Sequence, residues 1–331
     1  MNYIGSKYKL SNFIKTSVLQ TVGAELESKV FCDLFAGTGI VGRSFKTMVS
    51  QLISNDLEYY SYILNRNYVG NNQSINALDH IKELNFLEGK EGFIYKNYCN
   101  GGVSDRQYFS NENGLKIDAA RVQIEKWKET KEIDQDTYYF LLASLLEGAD
   151  KVANTASVYA SYLKGLKKTA QKKLEVVPAN FECTENKHLV YNQDSNMLIK
   201  HIEGDILYLD PPYNARQYGA NYHMLNTIAK YDTFVPVGKT GLRPYQRSNY
   251  CKRREVSKVF EDLIKNSKFT YIFLSYNNEG LMSEKEIRQI MKRYGRYDLV
   301  TTKYQRFKAD KTENRNHKAT ETKEYLHILE K

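Results

Sequence analysis

The chain has 331 residues, 41% of them hydrophobic and 26% charged, the balance of a soluble globular protein rather than a disordered or fibrous one. That length allows one large domain, or a domain with an added lobe of about 100 residues. A net charge of +9 and a pI near 9.0 favour polyanionic partners, although charge alone serves solubility equally well.

Tyrosine is abundant, with 27 copies against one tryptophan. Tyr stacks on bases and bonds phosphates, but it fills ordinary cores as readily. Cys32, Cys99, Cys183 and Cys251 form no C-x-x-C pair and have no histidine at metal-ligand spacing, so reduced thiols and no metal are expected. The first residues hold no apolar signal core, and no apolar run reaches membrane-spanning length. The expectation is a cytoplasmic protein with no membrane association.

In chain order, Ser6 is placed to cap a helix over 8–21, with Leu10, Phe13, Ile14 and Val18 on one face. Lys7 sits where the helix dipole prefers an anion, so it is either solvated or aimed at a ligand's carboxylate or phosphate. An apolar strand at 30–35 runs into Ala36-Gly37-Thr38-Gly39 and a helix reaching about residue 49. Gly37, Gly39 and Gly42 fit G-x-G-x-x-G, but Asp33 lies inside the strand end, where a diphosphate would be repelled and a cationic ligand welcomed. A second strand, 51–56, ends at Asp56, the position of a ribose-hydroxyl acceptor; Asp56 or Asn55 could instead cap a helix over 57–68.

From 70 to 185 the strand–helix rhythm stops. Residues 70–116 read as loop with short elements, and 117–175 read as helical. Within that stretch, Lys164 to Lys173 carries five lysines and no acid, either a phosphate-contact surface or a solvated helix face. The sheet resumes at 187–193, ending at Asp194 before a helix at 195–202. Residues 205–209 are a short apolar strand stopped by Asp210-Pro211-Pro212-Tyr213. The two prolines fix φ and remove two N–H donors, leaving a stiff corner with a carboxylate, a free carbonyl and an aromatic ring. Basic and aromatic residues interleave over 214–254. A helix at 255–266, a strand at 269–276, a helix at 283–294 and strands at 297–306 and 324–329 complete the chain.

Asp33, Asp56, Asp194 and Asp210 thus each end a predicted parallel strand, on the sheet edge where ligands bind in open α/β folds. The first three suit a nucleoside carrying positive charge, as S-adenosylmethionine does. With these residues in place, the chain resembles the amino-group DNA methyltransferases, specifically the α-class, Dam-like (D12) adenine-N6 enzymes. The resemblance rests on Tyr3-Ile4-Gly5-Ser6-Lys7, Asp33-Leu34-Phe35-Ala36-Gly37-Thr38-Gly39, Asn55-Asp56, Gln193-Asp194 and Asp210-Pro211-Pro212-Tyr213, in α-class order, and on a last strand, Thr322 to Leu329.

It implies a Rossmann-like S-adenosylmethionine-dependent methyltransferase sheet (1–69 and 186–331) with an inserted, mainly helical target-recognition lobe (70–185). It implies cofactor contacts from Tyr3, Lys7, Asp33, Phe35, Gly37, Gly39, Asp56, Asp194 and Asp210, and catalysis at Asp210, Pro211, Pro212 and Tyr213, with Tyr213 stacked on an adenine flipped out of duplex DNA. Candidate DNA contacts are Lys167, Lys168, Lys172, Lys173, Arg216, Tyr218, Lys239, Arg243, Arg247, Lys252 and Arg253. A cognate restriction endonuclease acting on the same site, without forming a complex, is the expected companion. The nearest alternative is an RNA methyltransferase acting on guanine-N2 or adenine-N6, since some such enzymes share the Asp-Pro-Pro-Tyr corner. A nicotinamide-dependent dehydrogenase would use the glycines but gives Asp33 and the corner no role.

Overall fold

The computed structural model describes residues 7–305 and 321–331; the predicted Ser6 cap, Tyr3 and the loop between the last two strands lie outside them. The chain forms two compact units. One is built from the described residues up to Leu57, Thr184–Gln217 and the chain from Arg247 onward; the other comprises Glu58–Cys183 and Tyr218–Gln246.

The first unit is a seven-stranded mixed sheet: β1 (Val30–Asp33), β2 (Gln51–Asn55), β3 (Leu189–Tyr191), β4 (Glu203–Leu209), β5 (Lys268–Asn277), β6 (Arg296–Gln305) and β7 (Glu321–Glu330). The order is β3-β2-β1-β4-β5-β7-β6, with β7 antiparallel to both its neighbours and β1 to β5 mutually parallel. This is the α/β arrangement expected from the alternation of short apolar runs and helices, and the Rossmann-like sheet that the family resemblance implies. Side chains alternate faces along each strand. Cys32, Ile53, Leu207, Ile272, Leu274 and Leu329 pack on one face against the helices Ser195–Leu198, Val256–Asn266 and Glu284–Met291. On the opposite face Phe31 stacks on Phe45 of the helix Ile40–Phe45, with ring centroids 4.3 Å apart.

One side chain locks three strand ends. Asn55, 1% exposed, donates from Nδ2 to the carbonyls of Leu34 (3.1 Å) and Gln193 (3.1 Å) and accepts the Gln193 N–H at 3.0 Å. It therefore does not cap the following helix, nor does Asp56, which accepts the Gly37 N–H. That helix, Tyr59–Asn65, starts from Glu58 without a side-chain cap bond and runs into a π-turn at Arg66–Gly70.

The second unit holds two long helices, Asn111–Glu129 and Gln135–Val152, capped by Ser110 and Asp134. The helix expected to continue to 175 stops at Val152. Beyond it, asparagine side chains replace helical hydrogen bonds: Asn154 bonds the carbonyls of Gln107 and Leu163 and the Lys167 N–H. Asn113 holds the Ala170 and Lys172 carbonyls and the Leu174 N–H, and Asn85 holds both backbone groups of Val176. An extended chain pinned this way has no need of a helix. Within the basic and aromatic stretch 214–254, residues His223–Lys230 form a helix that is almost wholly buried in this unit. Tyr60, Tyr98, Tyr108, Tyr139, Tyr159 and Tyr222 fill the unit's core with Trp127, so much of the tyrosine excess is core material.

Asn55→Ala leaves the buried Leu34 carbonyl and the partly buried N–H and carbonyl of Gln193 without their partner, so it should destabilise the protein by about 1–3 kcal/mol. Equilibrium denaturation checks this, a loss under about 0.5 kcal/mol contradicting the strand-lock account.

Candidate active site

The carboxylates stand where the strands deliver them. Asp33 ends β1, and its register partners are Ser54 of β2 and Tyr208 of β4. Asp56 follows β2, Asp194 follows β3 and Asp210 follows β4.

Asp33 is 1% exposed. Its Oδ2 accepts the Gly42 N–H at 2.9 Å, while Oδ1 has no hydrogen-bond partner among the described residues. Burial pushes its pKa up to about 7; the Gly42 bond and the Lys7 charge pull it down, while Asp210 and Asp56 push it further up. A Cβ on Gly42 would come within 3.2 Å of Asp33 Oδ2 and 3.3 Å of its Cβ, so glycine here permits the helix to approach the carboxylate. Gly37 and Gly39 lie in the left-handed region at φ 53° and 77°, which a glycine enters without strain. The Gly37 N–H donates to Asp56 Oδ2 at 2.8 Å, tying the glycine loop to the second strand's carboxylate.

Asp194 spends Oδ1 on the Asn196 and Met197 N–H groups, capping the short helix that follows. A cavity of about 400 Å³ lies beside it, lined by Asn196, Met197, Tyr250 and Lys258 among others, within the size range of small-molecule sites. Phe35, half-buried, meets Tyr250 edge-on at 5.0 Å between centroids.

At the Asp-Pro-Pro-Tyr corner, Asp210 Oδ1 accepts the Tyr213 hydroxyl at 2.7 Å and pairs with Lys7 Nζ at 3.0 Å. The Tyr213 hydroxyl also reaches Ser275 Oγ at 3.2 Å, and burial beside Asp210 raises its pKa well above the usual phenol value, which keeps it a donor. Lys7, 5% exposed, sits over the Tyr213 ring, 4.8 Å from its centroid, and the Tyr276 ring lies at 4.8 Å from that of Tyr213. Lys7 is thus not a solvated lysine. The tyrosine, expected to offer its ring to a base, also anchors the carboxylate. Ser275 and Tyr276 were not singled out from the sequence, although a polar residue following the apolar run Ile272-Phe273-Leu274 was a visible signal.

Of the expected DNA contacts, Lys168, Lys172, Lys173, Arg216, Lys239, Arg247, Lys252 and Arg253 are exposed; Lys173 pairs with Glu112 at 3.4 Å and Lys252 with Asn249 at 2.8 Å. Three are otherwise engaged. Arg243 is 5% exposed and makes two 2.9 Å bonds to Asp232, so it stabilises its own segment. Lys167 is half-buried, with Nζ on the Thr155 carbonyl at 2.7 Å, and Tyr218 packs against the aromatic core beside Tyr222. The lysine-rich stretch is not a helix face, since it lies in the asparagine-pinned chain.

Asp33, Asp56 and Asp210 thus lie close enough to raise the pKa of the first, beside a glycine loop, and that concentration of negative charge disfavours a diphosphate there. Comparison with known proteins agrees. Residues 3–290 match the model of the D12 class N6 adenine-specific DNA methyltransferases. The chain belongs to this family. It is 66% identical over 332 residues to the type II methyltransferase M.NlaIII of Neisseria lactamica, covering all of this chain and 99% of that one. It is 37% identical to M.CviAII of Paramecium bursaria Chlorella virus 1, covering 93% of each, and 38% identical to M.FokI of Planomicrobium okeanokoites, covering all of this chain and 53% of that longer protein. The methyltransferase is therefore a DNA adenine-N6 enzyme, which removes the RNA and dehydrogenase alternatives. Among its described residues, no helix is long and apolar enough to cross a membrane.

A carboxylate whose folded pKa lies above its unfolded value of about 3.8 binds more protons folded than unfolded between those values. Its stability contribution is therefore fully present below the unfolded pKa and declines as pH rises towards 7. Asp33→Asn should melt higher than the unsubstituted protein, and the gap should widen from pH 5 to pH 7 and level off above. Melting curves across that range check this; a gap that stays constant would mean that Asp33 is not ionising against burial.

Proposed function

We propose that the protein transfers a methyl group from S-adenosylmethionine to N6 of an adenine flipped out of duplex DNA, as the modification enzyme of a type II restriction–modification system. The observation that carries the reading is the Asp210 carboxylate at the end of β4, fixed by Tyr213 and Lys7 in a corner that two prolines keep stiff. When bound, the cofactor supplies an electrophilic methyl on a sulfonium. The residues fit such a group: Asp33 presents a buried oxygen unpartnered among the described residues, and Gly37 and Gly39 allow close backbone approach. Lys7, Asp33, Phe35, Gly37, Gly39, Asp56, Asp194 and Asp210, together with Tyr3, would hold it, with Asp56 at the ribose diol and Asp194 near the adenine.

The protein's own part is to make a poor nucleophile better. The lone pair of the adenine amino nitrogen is delocalised into the ring. Asp210 and the Pro211 carbonyl accept its two hydrogens, drawing the nitrogen towards tetrahedral geometry and localising the lone pair. Acceptors held on a backbone that two prolines keep stiff need little backbone reorganisation when charge develops on the amino group. Pro212 keeps the corner from following the base, and Tyr213 stacks on it while its hydroxyl holds Asp210. Holding nitrogen and methyl in line supplies further acceleration. The Glu58–Cys183 and Tyr218–Gln246 unit is the target reader in this proposal, with Lys168, Lys172, Lys173 and Lys239 among its phosphate contacts, joined by Arg216, Arg247, Lys252 and Arg253 from the sheet unit. A restriction endonuclease recognising the same sequence is the companion, acting separately.

The direct test is sequencing that maps N6-methyladenine in DNA from a host expressing the protein; a single recurring site is expected, and unmodified adenine throughout would end the proposal. Asp210→Ala should lower transfer about 100- to 1,000-fold or more while cofactor binding is partly retained. Asp56→Ala should weaken the cofactor about 10- to 100-fold; if both variants retained full activity, the site assignment would fail. Replacing Lys168, Lys172 and Lys173 with Gln should reduce the slope of log affinity against log salt by about 0.9 for each phosphate that a lysine had neutralised. An unchanged slope would leave these lysines as a solvated surface.

A further inference from the structure

The mechanism leaves one buried carboxylate near the corner unused. Glu324 lies in β7 opposite Asn277 of β5, one alternation from the pair formed by Ser275 and Leu326. Asn277, Ser275 and Glu324 therefore share a sheet face, and Ser275 is the residue whose hydroxyl meets Tyr213. Glu324 is 7% exposed, and its Oε2 has no hydrogen-bond partner among the described residues. Burial raises its pKa to about 7; Asp210 pushes it further up, while the charge of Lys7 and the neighbouring Asn277 side chain pull it back. It lies beyond residues 3–290, the stretch matched by the family model.

We propose that Glu324 is a positioning residue for methyl transfer, offering the Lys7 ammonium a second seat when Asp210 turns to the adenine amino group. The inference rests on the reading of Asp210 as the amino-group acceptor. Asp210 Oδ1 already serves Lys7 at 3.0 Å and the Tyr213 hydroxyl at 2.7 Å. A carboxylate neutralised by an ammonium that close is a weakened acceptor for a further N–H. Lys7 is 5% exposed, so an ammonium leaving Asp210 has little access to water and needs a protein acceptor. Glu324 Oε2 is a buried acceptor without a partner among the described residues, and Lys7 already acts on it electrostatically. The groups that act on Glu324 are Lys7, Asp210 and Asn277, and its own charge acts on Tyr208 and Tyr213. Of these, Lys7 is the cation able to follow it. The long, unbranched lysine side chain makes the exchange by rotamer change, with no covalent bond made or broken.

The test compares Glu324→Gln, Lys7→Met and the double variant in the full-length protein. Single-turnover transfer from labelled S-adenosylmethionine to genomic DNA from a host lacking adenine methylation gives the rate, and equilibrium binding gives the cofactor affinity. Glu324→Gln should bind the cofactor within about twofold of the unsubstituted protein yet transfer about 10- to 100-fold more slowly, as expected for loss of a hydrogen bond to a charged group. Glu324→Asp should restore part of that rate. In the Lys7→Met background, adding Glu324→Gln should cost less than about twofold, because the ammonium that Glu324 serves is gone. The proposal is overturned if Glu324→Gln transfers at the unsubstituted rate, if it costs the same factor with and without Lys7, or if its loss appears in cofactor affinity instead of rate. Asp210→Ala separates the two levels: if that variant stays active, the reading of the corner fails; if it is inactive while Glu324→Gln is unimpaired, the role of Glu324 alone fails.

Discussion

The ion pair between Lys7 and Asp210 is the contact on which the site depends. Parallel strands bring their C-terminal ends to one edge, and here those ends carry Asp33, Asp56 and Asp210, close enough to raise the pKa of the first. Crowding acids in a buried place is unfavourable unless something positive stands among them. Lys7 does so at 3.0 Å from Asp210, and it draws Tyr213 into the same arrangement through the ring beneath its ammonium. The stiffness of the corner therefore has two sources. Proline fixes its backbone, and a phenol and an ammonium fix its carboxylate.

Much of the sheet was legible because its signals are local. Short apolar runs at β1, β2 and β4 ended in acids, and those acids fall at the strand ends where the sequence pattern puts them. The Asp-Pro-Pro-Tyr stop marked the corner for the same reason, since proline acts on its own backbone wherever it lies. The role of Asn55 stays open in the sequence because its partners, Leu34 and Gln193, lie far from it in the chain. A residue able to cap a helix locally is indistinguishable in sequence from one that ties three strands.

Tertiary partnering also explains the errors in the other unit. The stretch after Val152 has helix-compatible composition, yet Asn85, Asn113 and Asn154 satisfy its backbone from a distance. Arg243 and Lys167 share the basic character of their neighbours, and only their partners, Asp232 and the Thr155 carbonyl, remove them from the surface available to phosphate. Composition reports the total charge of such a segment, whereas burial decides which of its charges face outwards.

The unit containing the long helices is assembled from two separate stretches, Glu58–Cys183 and Tyr218–Gln246, and the second begins soon after Tyr213. Neither stretch carries the aromatic core alone, because Tyr222 and the helix His223–Lys230 supply part of it. This bears on any attempt to build chimaeras with relatives. Grafting the longer stretch from a relative would pack its core against unmatched residues of the shorter one, so an exchangeable cassette must carry both segments and rejoin the chain on each side of the Asp-Pro-Pro-Tyr corner.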